Sequence, residues 1–413
     1  MRIVVALPFA PWPVTKGTDR LIMNLLDGLA VNNEVTLVAM ALSRGDLERL
    51  REIEKPRIAV RAILAPHRRS AFHRVYVKIE NIMKAVFAGV PMQVGYAAPA
   101  EFVRLVADTA KERKADIVLA SYWHMYRLPG LVKDSKLALV THDLDFLVNA
   151  ARLKAMSGAS RFFAARRLKA LERIEREAYK RYETILTVTA SDAETLARNP
   201  VAAGKAVHAL PLALDLGVFS PPEHGRERNR ILFLGAFSSD FNRDAFRFFA
   251  SEVLPVVRSR NPEARVEVVG HGVNETLRAA AGPGVSFVGG VEDIRPYLGA
   301  CSAMVLPLRF GGGVRIRMME AAAMGTPVVS TPVGVAGMGL RAGSDYLEGQ
   351  TGAEIALAIL HLLRDGDEAR RIGAGARRWA EENISMESYP ARLDALFERI
   401  FEHGREAGAA GKP

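Results

Sequence analysis

The chain has 413 residues, of which 49% are hydrophobic and 25% are charged, and it contains a single cysteine, Cys301. This is the composition of a globular protein, and the length predicts two domains. One cysteine excludes an internal disulfide and a cysteine-ligated metal cluster. The net charge of +10 arises almost entirely before residue 220, and no lysine occurs between Lys205 and Lys412. Any cation that the second half offers to a ligand is therefore an arginine.

The first half alternates short β-branched runs with helical patterns. The N-terminal run is interrupted by Pro8, Pro11 and Pro13, so it is too short for a signal peptide or a membrane span and predicts a buried strand in a cytoplasmic protein. Alternation of this kind indicates a parallel sheet with crossover helices. The predicted strands are RIVVALP, EVTLVAM, ADIVLAS, KLALVTH and ETILTVT.

Two basic segments of the first half predict amphipathic helices. In "HRRSAFHRVYVKIENIMKAVF" the apolar residues recur at helical spacing among basic ones, and "ASRFFAARRLKALERIEREAYKRY" repeats the pattern. Such helices are ordinarily core-facing with a solvated outer side, which is our interpretation of the second. For the first, the basic residues Arg68, Arg69, Arg74, Lys78 and Lys84 also fit a helix resting on anionic lipid. Nucleic acid is not a predicted partner, because no recognised binding motif accompanies the charge.

A second series of strands begins after a polar, proline-containing joint at Pro221 and Pro222. Its predicted strands are RILFLGAF, ARVEVVGHG, VSFVGGV, SAMVLPL and TPVVSTPVG. The prediction is an α/β protein with two Rossmann-like doubly wound domains facing a cleft. Residues 1–212 would form the first domain and 213–384 the second, while 385–413 would form a helix packing back on the first domain and a tail.

The stretch "FGGGVRIRMMEAAAMGTPVVST" places three glycines before a predicted helix from Val314 to Met324. Glycines let backbone N–H groups approach a ligand, and the start of a helix favours an anion. Arg315 and Arg317 in the first turn would bind a diphosphate, and Glu320 could accept hydrogen bonds from a ribose. The alternative is an ordinary tight turn at Gly311, Gly312 and Gly313, with Arg317 paired to Glu320.

These residues resemble those of a family 4 glycosyltransferase of the two-Rossmann B-fold, similar to exopolysaccharide and lipopolysaccharide sugar transferases. The match is good over "EAAAMGTPVV", so the resemblance implies that Glu320 binds the nucleotide ribose. A glutamate that the family carries seven residues earlier would fall at Gly312 and is missing. The resemblance also implies sugar transfer from a nucleotide diphosphate sugar with retention of configuration and without a metal ion or cofactor.

The segment "LGAFSSDFNRDAFRFF" departs from the family. Ala236 stands where the family typically has an arginine, and Phe241-Asn242 stand at its Lys-Gly, whose lysine helps to clamp the diphosphate. We therefore expect Arg315 and Arg317 to supply the cations. Arg243 is a further candidate, for which a solvated helix-start residue is the favoured interpretation. By the same resemblance Val291 lies beside the nucleobase, whereas His271 is interpreted as a loop residue.

The first domain carries three further matches, each at the end of a predicted strand. "VTKGTDR" places Lys16 and Gly17 at the family's glycine pair, near the phosphates or the acceptor. "DIVLASYWHMYRLPG" places His124 where the family has a histidine that contacts the transferred sugar, and packing beside its aromatic neighbours is the alternative. "LALVTHDLDF" places His142 and Asp143 near the acceptor. Asp143-Leu144-Asp145 also spells the metal-binding D-x-D of the other glycosyltransferase fold, which we interpret as coincidence.

The sequence thus predicts a metal-independent glycosyltransferase of the cytoplasm or the inner face of the membrane. Its partners would be a nucleotide-sugar donor, bound by residues 213–384, and a lipid-linked or saccharide acceptor, bound by residues 1–212, in cell-envelope polysaccharide or glycolipid synthesis. The predicted catalytic residues are His124 and Asp143. A nucleotide-sugar epimerase and a non-catalytic nucleotide-sugar-binding protein are the alternatives. A dehydrogenase is excluded, because no G-x-G-x-x-G follows the first strand.

Overall fold

The structure is a computed structural model, which describes residues 1–14, 17–154, 158–311 and 314–409. The chain forms two units. Unit 1 consists of Met1–Leu212 together with the segment from Glu387 onward, and unit 2 is Ala213–Met386. The chain therefore leaves unit 1 once and returns to it, and the second crossing lies two residues beyond the predicted boundary.

Unit 1 is built on seven parallel strands, most of whose residues are buried. Runs such as RIVVAL and EVTLVAMA have no polar alternation because helices cover both faces of the sheet. Its elements in this part of the chain are β1 (Arg2–Leu7), α1 (Gly17–Ala30), β2 (Glu34–Ala41), α2 (Arg44–Arg49), β3 (Ile58–Leu64), α3 (Pro66–Arg69), α4 (Ala71–Phe87), α5 (Met92–Ala97), α6 (Ala100–Glu112), β4 (Ile117–Ser121), β5 (Lys136–Thr141), α7 (Asp145–Lys154), α8 (Gly158–Arg181), β6 (Thr184–Thr187), α9 (Ala190–Ala197) and β7 (Ala206–Ala209).

The strand order of unit 1 is β3-β2-β1-β4-β5-β6-β7. All pairs are parallel; Val5, for example, lies opposite Leu37 on one side and Leu119 on the other. We call the edge at which the parallel strands end the carboxyl edge of the unit. The order reverses between β1 and β4, and loops that leave a sheet in opposite directions at such a point open a crevice there.

Unit 2 repeats the arrangement with six strands in the order β10-β9-β8-β11-β12-β13, so its crevice lies between β8 and β11. A π-helical turn, Phe249–Val253, joins its first two helices. Its elements are β8 (Arg230–Leu234), α10 (Asp240–Phe248), α11 (Leu254–Arg260), β9 (Arg265–Val269), α12 (Glu275–Ala281), β10 (Val285–Gly289), α13 (Arg295–Ala300), β11 (Ala303–Leu306), α14 (Ile316–Ala323), β12 (Val328–Ser330), β13 (Leu347–Glu348), α15 (Gly352–Arg364) and α16 (Gly366–Ile384).

The last helix, α17 (Tyr389–Ala409), belongs to unit 1. It packs on α1, where a Cβ added to Gly28 would lie 2.6 Å from the Tyr389 ring. Asp394 accepts hydrogen bonds from the side chains of Asn32, at 2.6 Å, and Asn33, at 3.3 Å. Leu393 and Phe397 are completely buried. The helix is thus part of the hydrophobic core of unit 1.

The two basic amphipathic helices behave differently. In α8 the apolar positions Leu171, Ile174 and Ala178 are buried in the core of unit 1, as predicted. In α4 the apolar stripe is exposed instead, and Val77 and Asn81 are the helix's buried residues. No helix in the described ranges combines the length and the apolar character needed to cross a bilayer.

Candidate functional site

Three loops meet at the carboxyl edge of unit 2. The Gly235 N–H donates to the Val269 carbonyl at 3.0 Å, and the Gly270 N–H donates to the Gly289 carbonyl at 2.7 Å. Gly270 has a φ of 144°, and a Cβ there would lie 1.8 Å from the carbonyl oxygen of Gly235. Only glycine permits this approach, so the glycines that end the strands bring the loops together.

Arg315 lies at the start of α14 in this cluster. Its side chain is 8% exposed, and its Cζ lies 5.4 Å from the centroid of the Phe241 ring. A Cβ added to Gly311, whose φ is 132°, would lie 2.8 Å from an Nη atom of Arg315. A cation over an aromatic face in a buried setting is held in place by that ring. The glycine and the phenylalanine therefore fix the guanidinium at the end of β11.

The predicted helix boundary was wrong by two residues at the N-terminal end. The helix begins at Ile316, and Arg315, with φ −87° and ψ 84°, is its N-cap residue. A residue at this position precedes the first free N–H groups of the helix, so its side chain can reach a ligand that the helix start attracts. Gly312 and Gly313 lie outside the described residues.

Arg317 lies in the first turn of α14 and contacts the end of β8. Its guanidinium donates to the Leu234 carbonyl oxygen and, at 2.8 Å, to Oδ1 of Asn242. The Asn242 amide in turn donates to the Ala236 carbonyl at 2.8 Å. Burial, followed by the charge of Arg315, lowers the pKa of Arg317 to about 9, against the opposing effect of Glu320. The guanidinium thus joins the two strand ends that border the crevice.

The other residues predicted to bind the donor occupy varied positions. Glu320, 8% exposed, lies one turn into α14. The guanidinium of Arg243 donates to the carbonyls of Phe237, at 2.6 Å, and Ser238, at 2.9 Å, and pairs with Asp240. Arg243 therefore holds the loop after β8, and its side chain is 29% exposed.

Val291 and His271 lie in the neighbouring loops. Val291 is half-buried just after β10, as the prediction of a position beside a base requires. His271 is an exposed loop residue whose ring lies against Gly290, where an added Cβ would be 1.7 Å from it. The His271 carbonyl accepts a hydrogen bond from the Phe237 N–H at 2.7 Å. These contacts support the loop and place His271 in a packing role.

At the carboxyl edge of unit 1, Tyr122 organises an aromatic cluster. It follows β4 with a φ of 72°, which a non-glycine residue adopts only under strain. Its ring stacks on the His142 imidazole, with centroids 4.5 Å apart, and meets the Phe9 ring at 6.0 Å. Burial, followed by Asp143, raises the pKa of the Tyr122 phenol. The ends of β1, β4 and β5 are thus brought together in one cluster.

His124 lies beside this cluster, stacked on the Trp123 ring with centroids 4.0 Å apart. The Trp123 indole donates to Oδ2 of Asp145 at 2.7 Å, and burial raises the pKa of that carboxyl. The second carboxylate of the Asp143-Leu144-Asp145 motif is therefore engaged by the indole. Within the described ranges, no three His, Cys, Asp or Glu side chains are grouped so that they could hold a metal ion.

Both histidines of this edge are neutral at physiological pH. Burial lowers the pKa of His124 to about 4 and that of His142 to about 4. Nδ1 of His124 and Nε2 of His142 are buried, and no hydrogen-bond partner for either lies among the described residues. A buried ring nitrogen that forms no hydrogen bond is costly, so each of these two atoms is an unsatisfied polar group at the edge where the motifs predict the acceptor.

Glu175, on α8, is a buried residue that the sequence motifs did not indicate. Oε1 of its carboxyl accepts a hydrogen bond from the Tyr179 hydroxyl at 2.8 Å, and the nearby backbone N–H groups of Phe146 and Asp145 act to lower its pKa. Burial raises the pKa of Glu175 to about 8. Thr141 Oγ1 lies 3.3 Å from the Tyr179 hydroxyl and donates to the Asp143 carbonyl at 2.7 Å. Glu175 therefore fixes the loop that carries His142 and Asp143.

Gly17 and Asp143 complete the predictions for unit 1. Gly17 begins α1, and Asp19 in the first turn of that helix is 2% exposed. Both Asp19 and Asp143 act electrostatically on the Tyr122 phenol, so the start of α1 lies near the aromatic cluster. Lys16 lies outside the described residues.

Two doubly wound parallel sheets, each with predicted site residues at its carboxyl edge, define an α/β protein of the two-Rossmann class. Residues 228–365 match the family described as "Glycosyl transferases group 1". Over 98% of its length the chain also resembles sucrose-phosphate synthase from Thermosynechococcus elongatus, with a TM-score of 0.73, 16% identity and all of that chain covered. The chain therefore has the glycosyltransferase B-fold, and the resemblance inferred from its motifs is confirmed.

Two curated relatives match part of the sequence. One is the MMP alpha-(1->4)-mannosyltransferase of Mycolicibacterium hassiacum, 27% identical over 52% of this chain and 54% of that protein. The other is the GDP-mannose-dependent alpha-(1-6)-phosphatidylinositol monomannoside mannosyltransferase of Mycobacterium tuberculosis, 30% identical over 34% of this chain and 40% of that protein. The chain spans about half the length of the curated relatives it matches.

Proposed function

We propose that the protein is a cytoplasmic, retaining and metal-independent glycosyltransferase. It would move a sugar from a nucleotide diphosphate sugar to a hydroxyl acceptor in cell-envelope glycolipid or polysaccharide synthesis. The observation that carries the proposal is the pair Arg315 and Arg317, held where β8 and β11 end, inside the segment that matches the glycosyl transferases group 1 family. This crevice is the ligand-binding position of a doubly wound sheet.

The donor would bind to unit 2 through its diphosphate. The start of α14 carries about half a positive charge, and a guanidinium binds phosphate oxygens with two hydrogen bonds. Negative charge develops on the departing nucleoside diphosphate, so fixed cations there lower the barrier to breaking the glycosidic bond. Arg315 would contact the diphosphate, Arg317 would strengthen the local positive potential, and Glu320 would accept from the ribose hydroxyls. Because these cations serve the leaving group, we propose a metal-independent reaction.

Unit 1 would bind the sugar and the acceptor hydroxyl. With pKa values of about 4, His124 and His142 are neutral hydrogen-bonding groups rather than acids or bases at physiological pH. Their buried nitrogens can accept from or donate to a hydroxyl, according to the tautomer. Asp143, fixed by the Glu175 network, would orient the acceptor hydroxyl. Orientation combined with leaving-group stabilisation would then supply most of the rate enhancement.

The relatives' names suggest the first substrates to test. Both are mannosyltransferases that form α linkages, and one depends on GDP-mannose and acts on a phosphatidylinositol mannoside. Mannose is α-linked in GDP-mannose, so an α product corresponds to retention of configuration. We therefore propose GDP-mannose as the first donor candidate and a mannosylated glycolipid as the first acceptor candidate.

A two-part experiment tests the proposal. Thermal unfolding is measured with GDP, UDP and ADP and their sugars, and the donor nucleotide should raise Tm by mass action. Radiolabelled donor is then incubated with and without membrane lipid extract, in buffer containing EDTA. Label transferred to lipid or saccharide supports the transferase. Conversion of the donor without an acceptor would indicate an epimerase, and binding without turnover a non-catalytic protein.

A further inference from the structure

The exposed apolar stripe of α4 is the largest feature of unit 1 that the proposed reaction does not use. We call these eight residues the α4 face: Phe72, Val75, Tyr76, Ile79, Ile82, Met83, Val86 and Phe87. Their exposed fractions run from 40% at Ile82 to 77% at Phe72 and Phe87. Single exposed apolar residues are ordinary, whereas a continuous strip along a whole helix marks an interaction surface.

The opposite side of α4 is firmly attached to unit 1. Asn81 is 2% exposed and packs on α5, where a Cβ added to Gly95 would lie 1.8 Å from its Oδ1. Arg173 of α8 donates to the carbonyl of Gly89 at 2.6 Å, just after the helix ends. Only glycine at position 95 allows this packing of Asn81. The α4 face is therefore held outward by the fold, because turning it inward would break these contacts.

Positive charge borders the α4 face. Arg68, Arg74 and Lys78 are exposed, and at about 100° per residue Lys78 lies beside the apolar arc with Arg74 next to it. Arg69 is paired with Glu101, and the acidic Glu80 is paired with Lys84. The groups that stay available beside the apolar strip are thus predominantly basic.

The geometry points to an anionic lipid bilayer as the occupant of the α4 face. The strip runs the full length of the helix, about 23 Å at 1.5 Å per residue, and has a phenylalanine at each end. A helix of this kind lies in the plane of a membrane, with its apolar side chains among the acyl chains and its basic residues at the headgroups. Two copies joined through this face would bring the basic borders toward each other, whereas anionic lipid complements them.

The first test measures flotation with vesicles in the absence of nucleotide, so its outcome is independent of sugar transfer. The full chain should float with vesicles of phosphatidylcholine and phosphatidylglycerol but not with phosphatidylcholine alone. Ile79→Glu, at an exposed central position, should reduce the bound fraction about tenfold. Leu357→Glu is the matched control, since Leu357 is 48% exposed on α15 in unit 2. The control should bind as the wild type does. The double variant Arg74→Glu/Lys78→Glu should weaken binding and its dependence on salt.

The second test reports which residues enter the lipid. Cys301 is completely buried and burial raises the pKa of its thiol to about 12, so an introduced surface cysteine can be labelled selectively. An environment-sensitive fluorophore at Phe72→Cys, Ile79→Cys or Phe87→Cys should shift to the blue with anionic vesicles. The same label at Leu357→Cys should not respond.

Two results would overturn the inference. One is a wild-type chain that binds no vesicle at any content of anionic lipid. The other is a dimer, seen by sedimentation velocity, that Ile79→Glu dissociates, because the α4 face would then belong to a second copy.

Discussion

The carboxyl edges of the two units share an architecture and differ in their charge. Each sheet reverses its strand order beside its first strand, between β1 and β4 or between β8 and β11. Around the first crevice, burial keeps two imidazoles neutral and raises the pKa of Glu175. Around the second stand the guanidinium groups of Arg315 and Arg317. The backbone thus positions the loops in the same way in both units, and the side chains on those loops give one edge neutral polar groups and the other edge cations.

Replacing Arg315 by alanine should have the largest effect, because it removes one of the two cations from the edge of unit 2 and so weakens nucleotide binding. Loss of a charge-assisted hydrogen bond costs about 1.5–3 kcal/mol, so nucleoside diphosphate affinity should fall about 10- to 150-fold. Isothermal titration calorimetry measures it. Arg370→Ala is the control, since it removes an exposed guanidinium of the same unit that pairs with Asp367. Equal affinity in the two variants would show that the edge of unit 2 does not bind the anion.

His124→Ala tests the other side of the comparison. Loss of a neutral hydrogen bond should lower the transfer rate about tenfold while the nucleotide dissociation constant stays unchanged. Since the pKa of His124 is about 4, the histidine is uncharged above about pH 5. Its protonation should therefore not change the wild-type transfer rate between pH 5.5 and 8. His124→Asn, which keeps a polar side chain, should retain more activity. If His124→Ala also weakens nucleotide binding, His124 contributes to the donor site, and the proposed assignment of donor and acceptor to separate edges is wrong.

Glu175→Gln should change how stability depends on pH. The pKa of Glu175 is about 8 in the fold and about 4.5 ordinarily, so the folded state holds a proton that the unfolded state releases. The stabilisation of the fold by this proton is complete below pH 4.5 and is lost as pH rises toward 8. Between about pH 6.5 and 8 the stabilisation from Glu175 should fall by about 2 kcal/mol, or roughly 4–8 °C in the Tm of unit 1.

The glutamine variant should show a flatter profile over the same pH window, measured by differential scanning calorimetry. In the unfolded state the two histidines titrate near their ordinary value of 6.5, at the lower end of that window. Wild type and variant both carry them, so the difference between the two profiles reports Glu175. An equally steep profile in wild type and variant would assign the slope to another group.

Phe241→Leu should have the smallest effect. The ring contributes a cation–π contact to Arg315 at 5.4 Å, worth about 0.5–1 kcal/mol, so nucleotide affinity should fall about two- to fivefold. Phe248→Leu is the matched control, because its ring lies under Arg309 at a similar 5.1 Å. If both variants bind nucleotide equally, the Phe241 ring does not position Arg315 for the ligand.

The sequence was sufficient for the strands, because buried parallel strands are continuous apolar runs, and for the loops that follow them. It was insufficient for contacts between distant segments. By the resemblance, Phe241 and Asn242 replace the family's Lys-Gly pair and so remove a cation. In the fold they contact two other cations, Arg315 and Arg317. Glu175 gave only a weak signal, its spacing of four residues from Tyr179 on the buried side of a helix.

The basic helices show the same limit. Helical periodicity identifies an apolar face but not the surface that covers it, so α4 and α8 have similar patterns and opposite exposures. Whether the apolar face of a helix is buried depends on whether another element packs against it. Core residues line that face of α8, whereas α5 contacts α4 at Asn81, on the side opposite the α4 face, and Arg173 of α8 contacts Gly89 just beyond the end of α4.

The contact between Gly28 and Tyr389 has a consequence for biosynthesis. The helix that completes the N-terminal unit is synthesised only after the whole of unit 2, long after α1 has emerged from the ribosome. At about 5–20 residues per second, the 174 residues of the intervening unit take roughly 10–40 s to translate. During that interval the nascent chain exposes the apolar surface that α17 later covers, so the order of folding here is not simply the order of synthesis.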